Sequence, residues 1–180
     1  AWAGLTFSGF GVSSRSPSDT LTEGSRAFLY PQVAFKRGTP GWFFAARAGV
    51  HLRRYDLDQS VGDDGSPSLA VPITSVDAGL VFERDWSLFG TTFTHTLEPR
   101  AYYVYIPYRE QNSLPAFDSA IDDYNFGQLF TENRYLGNDR IGDANQLTIG
   151  VTSRLLQPGT GAERLRVALA QRFYFEDQRV

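Results

Sequence analysis

Apolar and polar residues alternate along most of this chain. Between Trp42 and Tyr55, Phe44, Ala46, Ala48, Val50 and Leu52 share one parity, while Arg47, Gly49, His51, Arg53 and Tyr55 share the other. Neighbours on a strand point to opposite faces, so this spacing predicts a strand with one apolar and one polar face. The pattern returns in Leu147, Ile149, Val151 and Leu155 against Gln146, Thr148, Thr152 and Arg154, and in Leu165, Val167, Leu169, Phe173 and Phe175 against Arg164, Arg166, Arg172 and Glu176. Strand candidates run from Leu5 to Val12, Arg26 to Lys36, Trp42 to Tyr55, Pro72 to Arg84, Thr91 to Tyr105, Gln146 to Leu156 and Arg164 to Glu176. Several exceed the roughly 5–6 residues usual in soluble proteins and match the roughly 9–11 needed to cross a bilayer at a tilt.

The links between candidates sort by parity. Arg37 to Gly41, Asp85 to Gly90 and Gln157 to Ala162 are short and rich in turn formers, whereas Ser13 to Ser25, Asp56 to Val71 and Ile106 to Asn145 are long. Bacterial outer-membrane barrels alternate in this way, because periplasmic turns are tight and extracellular loops are free to grow.

One apolar and one polar face fits either a half-buried soluble sheet or a barrel wall facing lipid. Aromatic placement favours the wall: Phe35, Trp42, Trp86 and Phe89 flank the short turns, and Tyr55, Tyr103, Tyr105 and Tyr108 lie near the long-loop ends, as two interfacial girdles would. The expected fold is all-β, an antiparallel transmembrane β-barrel segment of meandering strands, with residues 1–180 part of one outer-membrane barrel domain. The chain starts at Ala1, contains no Met and stops just after a strand, so it reads as an excerpt. No apolar run approaches the roughly 18 residues of a membrane helix. The net charge of −3 and scattered basic residues argue against nucleic acid, and the absence of Cys removes thiolate metal sites and Cys nucleophiles from this segment.

Chemistry has few parts to draw on. Of the two histidines, His95 falls on the apolar face as a tolerated neutral side chain, and His51 sits with Arg47 and Arg53 on the polar face as a solvated wall residue. No nucleophile, base and orienter assemble. Glu98 and Arg100 share the polar face, where charges need partners, and Arg154, Arg166 and Arg172 are candidates for Glu98. Pro99 lacks a ladder donor and predicts a bulge or locally broken pairing. The loop from 106 to 145, extracellular or folded into the lumen, has seven acidic residues and three Arg between Arg109 and Asp143, yet also Phe117, Ile121, Tyr124, Phe126, Leu129, Phe130, Tyr135 and Ile141. So many apolar groups predict that it folds onto the barrel interior or onto a partner seated there. Asp118, Asp122 and Asp123, or Asp139 and Asp143, lack the spacing and central Gly of a calcium loop.

The runs Leu97-Glu-Pro-Arg-Ala-Tyr-Tyr-Val-Tyr-Ile-Pro-Tyr-Arg-Glu-Gln111, Phe117-Asp-Ser119, Asn133-Arg-Tyr-Leu-Gly-Asn-Asp-Arg-Ile-Gly-Asp-Ala-Asn-Gln146 and Val151-Thr-Ser-Arg154 closely resemble the barrel domain of the LPS-assembly protein LptD family, also called organic solvent tolerance protein. The resemblance is strong from about Thr94 to Glu176. It implies a large barrel in the Gram-negative outer membrane that receives lipopolysaccharide (LPS) from a periplasmic bridge and inserts it into the outer leaflet, with an LptE-like lipoprotein plug inside. Seven strands would be an internal arc of that wall. No enzyme activity and no ATP, metal or redox cofactor is implied. Arg47, Arg53, Glu98, Arg100, Arg154, Arg166 and Arg172 become lumen-wall residues, whose arginines either contact anionic head groups or pair with wall carboxylates. Tyr108, Arg109, Phe117, Asp118, Tyr124, Phe126, Phe130, Arg134, Tyr135, Asp139 and Arg140 become the plug-facing loop. The alternating strands alone also fit a passive porin or nutrient channel, the presence of Ser, His and Asp a barrel enzyme, and the negative mean hydropathy a soluble β-sandwich.

Overall fold

The computed structural model describes residues 2–13, 24–57, 66–88, 90–114, 119–123 and 125–180, with side chains from residue 25 onward apart from that of residue 57. Its strands in chain order are β1 (Trp2–Ser13), β2 (Gly24–Thr39), β3 (Trp42–Leu57), β4 (Ser68–Leu80), β5 (Phe82–Leu88), β6 (Thr91–Ile106), β7 (Ala120–Ile121), β8 (Tyr135–Leu136), β9 (Ala144–Leu156) and β10 (Glu163–Tyr174). One antiparallel sheet carries β1-β2-β3-β4-β6-β9-β10 as successive neighbours, with β5 also paired to β6. At about 3.3 Å per residue, a 16-residue strand such as β2, β3 or β6 is roughly 50 Å long, enough to cross a bilayer at a steep tilt.

The segment from Asp85 to Leu88, expected as part of a turn, is strand, and the connection to β6 is correspondingly tighter. β4 and β5 are one line of chain: Gly79 pairs Arg100 and Phe82 pairs Leu97 in the same register. The break falls at Val81, whose N–H instead reaches the Gly41 carbonyl at 2.8 Å. That register sets Leu80 opposite Pro99, which has no N–H to give, so the interruption expected at Pro99 appears in the neighbouring strand. On its other side Pro99 stays in the ladder, opposite Val151.

The face rich in large apolar side chains is bare. Val33, Phe44, Leu52, Val76, Leu80, Ile149, Leu165, Val167, Leu169 and Phe173 all lie on it and all are exposed, Leu169 by 69%. A soluble protein rarely shows so extended an apolar surface, whereas a barrel wall must. Trp42 and Trp86 mark the short-turn end of this face, and Tyr103, Tyr105 and Phe175 the other. Tyr55, expected in that second girdle, instead lies on the opposite, inner face and is fully buried there.

Burial is found on the face that carries the charges. The loop between β6 and β9 folds back over it, and Leu129, Phe130 and Ile141 from the loop join Val71, Ile73, Tyr102, Val104 and Ile106 from the wall in one apolar cluster. Among the described residues no helix is long and apolar enough to cross a membrane, and the loop between β6 and β9 holds the short β7–β8 pair and a 3-10 turn, Gln128–Phe130.

Candidate functional site

The inner face is organised by what the loop sets against it. At the long-loop end, Asp139 enters between Arg26 and Arg53. It forms an ion pair with Arg26, both side chains buried, and its Oδ1 accepts a hydrogen bond from the Tyr55 hydroxyl at 3.3 Å. Arg53 donates to the carbonyls of Asn138, at 3.1 Å, and Asp139, and to Gln111 Oε1 at 2.7 Å. Gln111 then closes on the backbone of Ile141, donating to its carbonyl at 2.8 Å and accepting from its N–H at 3.2 Å. Burying a guanidinium is tolerable only with this degree of compensation.

Halfway down the wall Glu132 accepts hydrogen bonds from Arg47 at 3.0 Å, Ser75 at 2.8 Å and Tyr30 at 3.3 Å. Thr148 donates to the Leu129 carbonyl at 2.7 Å, and Arg172 to the Gln128 carbonyl at 2.7 Å. Phe130 is seated beside Arg100, whose guanidinium carbon lies 4.3 Å from the ring centroid, and stacks obliquely with Tyr102 and Phe126. Gly150 makes room for that ring: a Cβ there would stand 2.7 Å from Phe130 Cζ. Arg100 grips Asp77 with two hydrogen bonds, at 2.8 and 2.7 Å. Nearer the short turns Arg154 is the partner that Glu98 finds, at 2.8 Å, with Thr96 also donating to Glu98. Arg166 makes no ion pair among the described residues and lines a cleft of about 190 Å³ with Glu98, Arg100, Phe126 and Arg154. A second cleft of about 410 Å³ lies between Lys36, Arg47, Asp77, Arg100, Phe130 and Glu132.

The rest of the loop is braced locally. Asn133 donates to the carbonyls of Tyr135 and Arg140 and accepts from the Gly142 N–H, holding the hairpin that contains β8. Arg134 reaches Gln178 at 2.7 Å and lies over the Tyr135 ring, while Arg140 reaches Asn112 at 2.9 Å. Arg109 donates to the Ala70 carbonyl at 3.4 Å. Tyr108 lies under Arg179, 4.2 Å from ring centroid to guanidinium carbon, and donates to Glu110 at 2.5 Å. That hydrogen bond raises the Tyr108 phenol and lowers the Glu110 carboxyl from their ordinary values. Phe117, Asp118 and Tyr124, expected in this surface, lie outside the described residues.

The two histidines occupy opposite faces. His51 is not a solvated wall residue: it is buried beneath the loop and stacks on Phe28, with ring centroids 5.7 Å apart, and leans on Tyr30. Its polar parity was visible in sequence, but the covering loop was not. His95 is on the outer face, hydrogen-bonded to Ser153 at 2.8 Å and accepting from Arg84 Nε at 3.3 Å. Residues that sequence reasoning missed are Arg26, Asp77, Gln111 and Glu132. Arg26 and Asp77 carried a local signal, a charge on the polar parity of a strand; Gln111 and Glu132 lie in the loop and find partners far along the chain.

A sheet with one bare apolar face, one ion-paired polar face, tight turns at one end and long loops at the other is an arc of the wall of an outer-membrane β-barrel. More particularly, the chain belongs to the LptD family: the family model "LPS transport system D" matches residues 1–180. A protein of Azoarcus sp. (strain BH72) named LPS-assembly protein LptD is 52% identical over 99% of this chain and 22% of its own length. Proteins of the same name from Aromatoleum aromaticum and Ralstonia nicotianae are 51% and 46% identical, over 88% and 91% of this chain. The chain spans about a fifth of the length of these curated relatives. Its place is the outer membrane of a Gram-negative bacterium.

Proposed function

We propose that this arc forms part of the wall of an outer-membrane LPS translocon, in which LPS inserts into the outer leaflet with its sugars and phosphates on the polar side. The carrying observation is the inner face itself: a charged, hydrogen-bonding surface with two open clefts, roofed by the chain's own loop, in a chain whose relatives are named for LPS assembly. Most of its arginines already have carboxylate or carbonyl partners, so Arg47, Arg100 and Arg154 serve chiefly to fix the wall and loop. Arg166, with no such partner among the described residues, is the residue of this face best placed to meet an anionic head group transiently. Residues 1–180 form part of a single barrel domain, and 106–145 is its lumen-folded loop.

The loop surface turned away from the wall, where Ile121 and Leu136 are exposed, faces a lipoprotein plug, and a periplasmic bridge delivers LPS through parts of the protein outside this chain. The role is passage and insertion, without catalysis. A photo-crosslinking residue at Ile121 or Leu136 in the full-length protein containing this chain should trap a lipoprotein, and one at Arg166 should trap LPS. Adducts to neither, across positions that crosslink to detergent or water-soluble probes, would overturn the reading.

A further inference from the structure

The outer face, although mostly apolar, carries a hydrogen-bonded polar row near its short turns. Arg84 on β5 sits opposite His95 on β6, and His95 in turn bonds Ser153 on β9. Arg84 Nε donates to His95 Nδ1, which requires the Nε2–H tautomer, so His95 donates onward to Ser153. The Arg84 guanidinium lies over Trp86, at 5.8 Å from the ring centroid, and meets no carboxylate among the described residues. Arg84 is exposed, and its terminal nitrogens make no hydrogen bond among the described residues. On this strand Phe82 lies on one side of the row and Trp86 and Leu88 on the other, and the short turn follows Leu88, so the row lies near the periplasmic end of the wall.

Four to six residues back along the same strands, roughly 13–20 Å along them in the direction of the membrane centre, the wall is hollowed. The small side chains of Ala78 and Ala101 and the ring of Pro99 form the floor, and Trp42, Phe44 and Ile149 the sides, of an almost wholly apolar groove of about 600 Å³. Cation and groove have the spacing of a lipid phosphate and the middle of its acyl chain.

We propose that this surface is a binding site for one glycerophospholipid of the periplasmic leaflet: its phosphate held by the Arg84 fork beside Trp86, its acyl chain laid in the groove over Pro99 and Ala101. A guanidinium with free terminal nitrogens matches phosphate oxygens, and its backing by His95 and Ser153 fixes where it points. The site rests on the barrel orientation but not on LPS passage. LPS, at the opposite leaflet, is the competing phosphorylated lipid that position excludes.

The test uses the full-length protein containing this chain in lipid nanodiscs, with a phosphatidylethanolamine bearing a diazirine at mid-chain. Adducts should map to peptides holding Ala78 or Ala101 and fall at least five-fold in both Arg84→Gln and Ala101→Phe, while a matching diacylglycerol probe labels wild type and Arg84→Gln equally and weakly. Labelling of these peptides that is unchanged in both variants would overturn the site. So would diacylglycerol labelling as strong as that of the phospholipid, or Arg84-dependent retention of LPS in place of phospholipid.

Discussion

Replacing Gly150 with Ala should loosen the loop while leaving the strand that carries the substitution sound. The added Cβ would meet Phe130 Cζ at 2.7 Å and the Ala170 Cβ at 3.1 Å. Comfortable carbon contacts begin at about 3.5 Å, so the ring must retreat by roughly 1 Å, which forfeits about a quarter to a half of its packing. Full burial of a Phe stabilises by about 1.5–3 kcal/mol and an Arg–aromatic contact by about 0.5–1 kcal/mol. The loss is then on the order of 1–2 kcal/mol, felt chiefly by the loop, because Ala in a strand is itself favoured over Gly by roughly 0.5–1 kcal/mol, which offsets the small shift asked of the Ala170 strand. The Phe130 amide, bonded to the Gly127 carbonyl at 3.0 Å, reports it. Hydrogen exchange of a peptide spanning residues 126–133 in the full-length protein should speed up by about five- to thirty-fold. Phe130→Leu in the same background should show a smaller increment than its effect alone, since both changes act on one seat. Exchange in Gly150→Ala within about two-fold of wild type would refute the packing of Phe130 against the wall.

Further consequences follow from the ion pairs and from the loop. Asp139→Ala removes the carboxylate that pairs with the buried Arg26 and should cost about 3–5 kcal/mol, seen as rapid proteolysis within residues 135–143 or failed assembly. Arg100 and Asp77 are partly exposed, so their two-bond pair should show a coupling of only about 1 kcal/mol in a double-mutant cycle read by urea unfolding. Glu110 is lowered and Tyr108 raised by their shared hydrogen bond: its contribution is full above the usual carboxylate range and below the usual phenol range, fades as pH falls through the lowered Glu110 value, and fades again as pH rises through the raised Tyr108 value. Glu110→Gln should therefore make Tyr108 ionise at lower pH in an ultraviolet difference titration; an unmoved transition would refute the contact.

Much of the wall was legible in sequence because a strand writes its two faces into alternate residues. Phe44 to Leu52 and Leu165 to Phe175 name the outer face without any tertiary information, and Pro99 announces a missing donor that can only disturb a ladder. The segment from Asp85 to Leu88 misled because Asp and Ser favour turns and Arg84 interrupts the apolar parity, yet β6 supplies the pairing that keeps it extended. Charge partners within neighbouring strands, such as Glu98 with Arg154, could be narrowed to a few candidates. Those delivered by the loop could not: Asp139 and Glu132 meet Arg26 and Arg47 across long stretches of chain, and loop conformation has no period to read. Tyr55 and His51 were placed on the correct parity but in the wrong surroundings for the same reason.

The central claim is tested most directly by depleting the full-length protein that contains this chain and following newly made LPS to the cell surface. LPS accumulating inside the envelope, and its return to the surface when the protein is restored, is the predicted result. Unchanged arrival at the surface, with the protein demonstrably gone, would contradict the account.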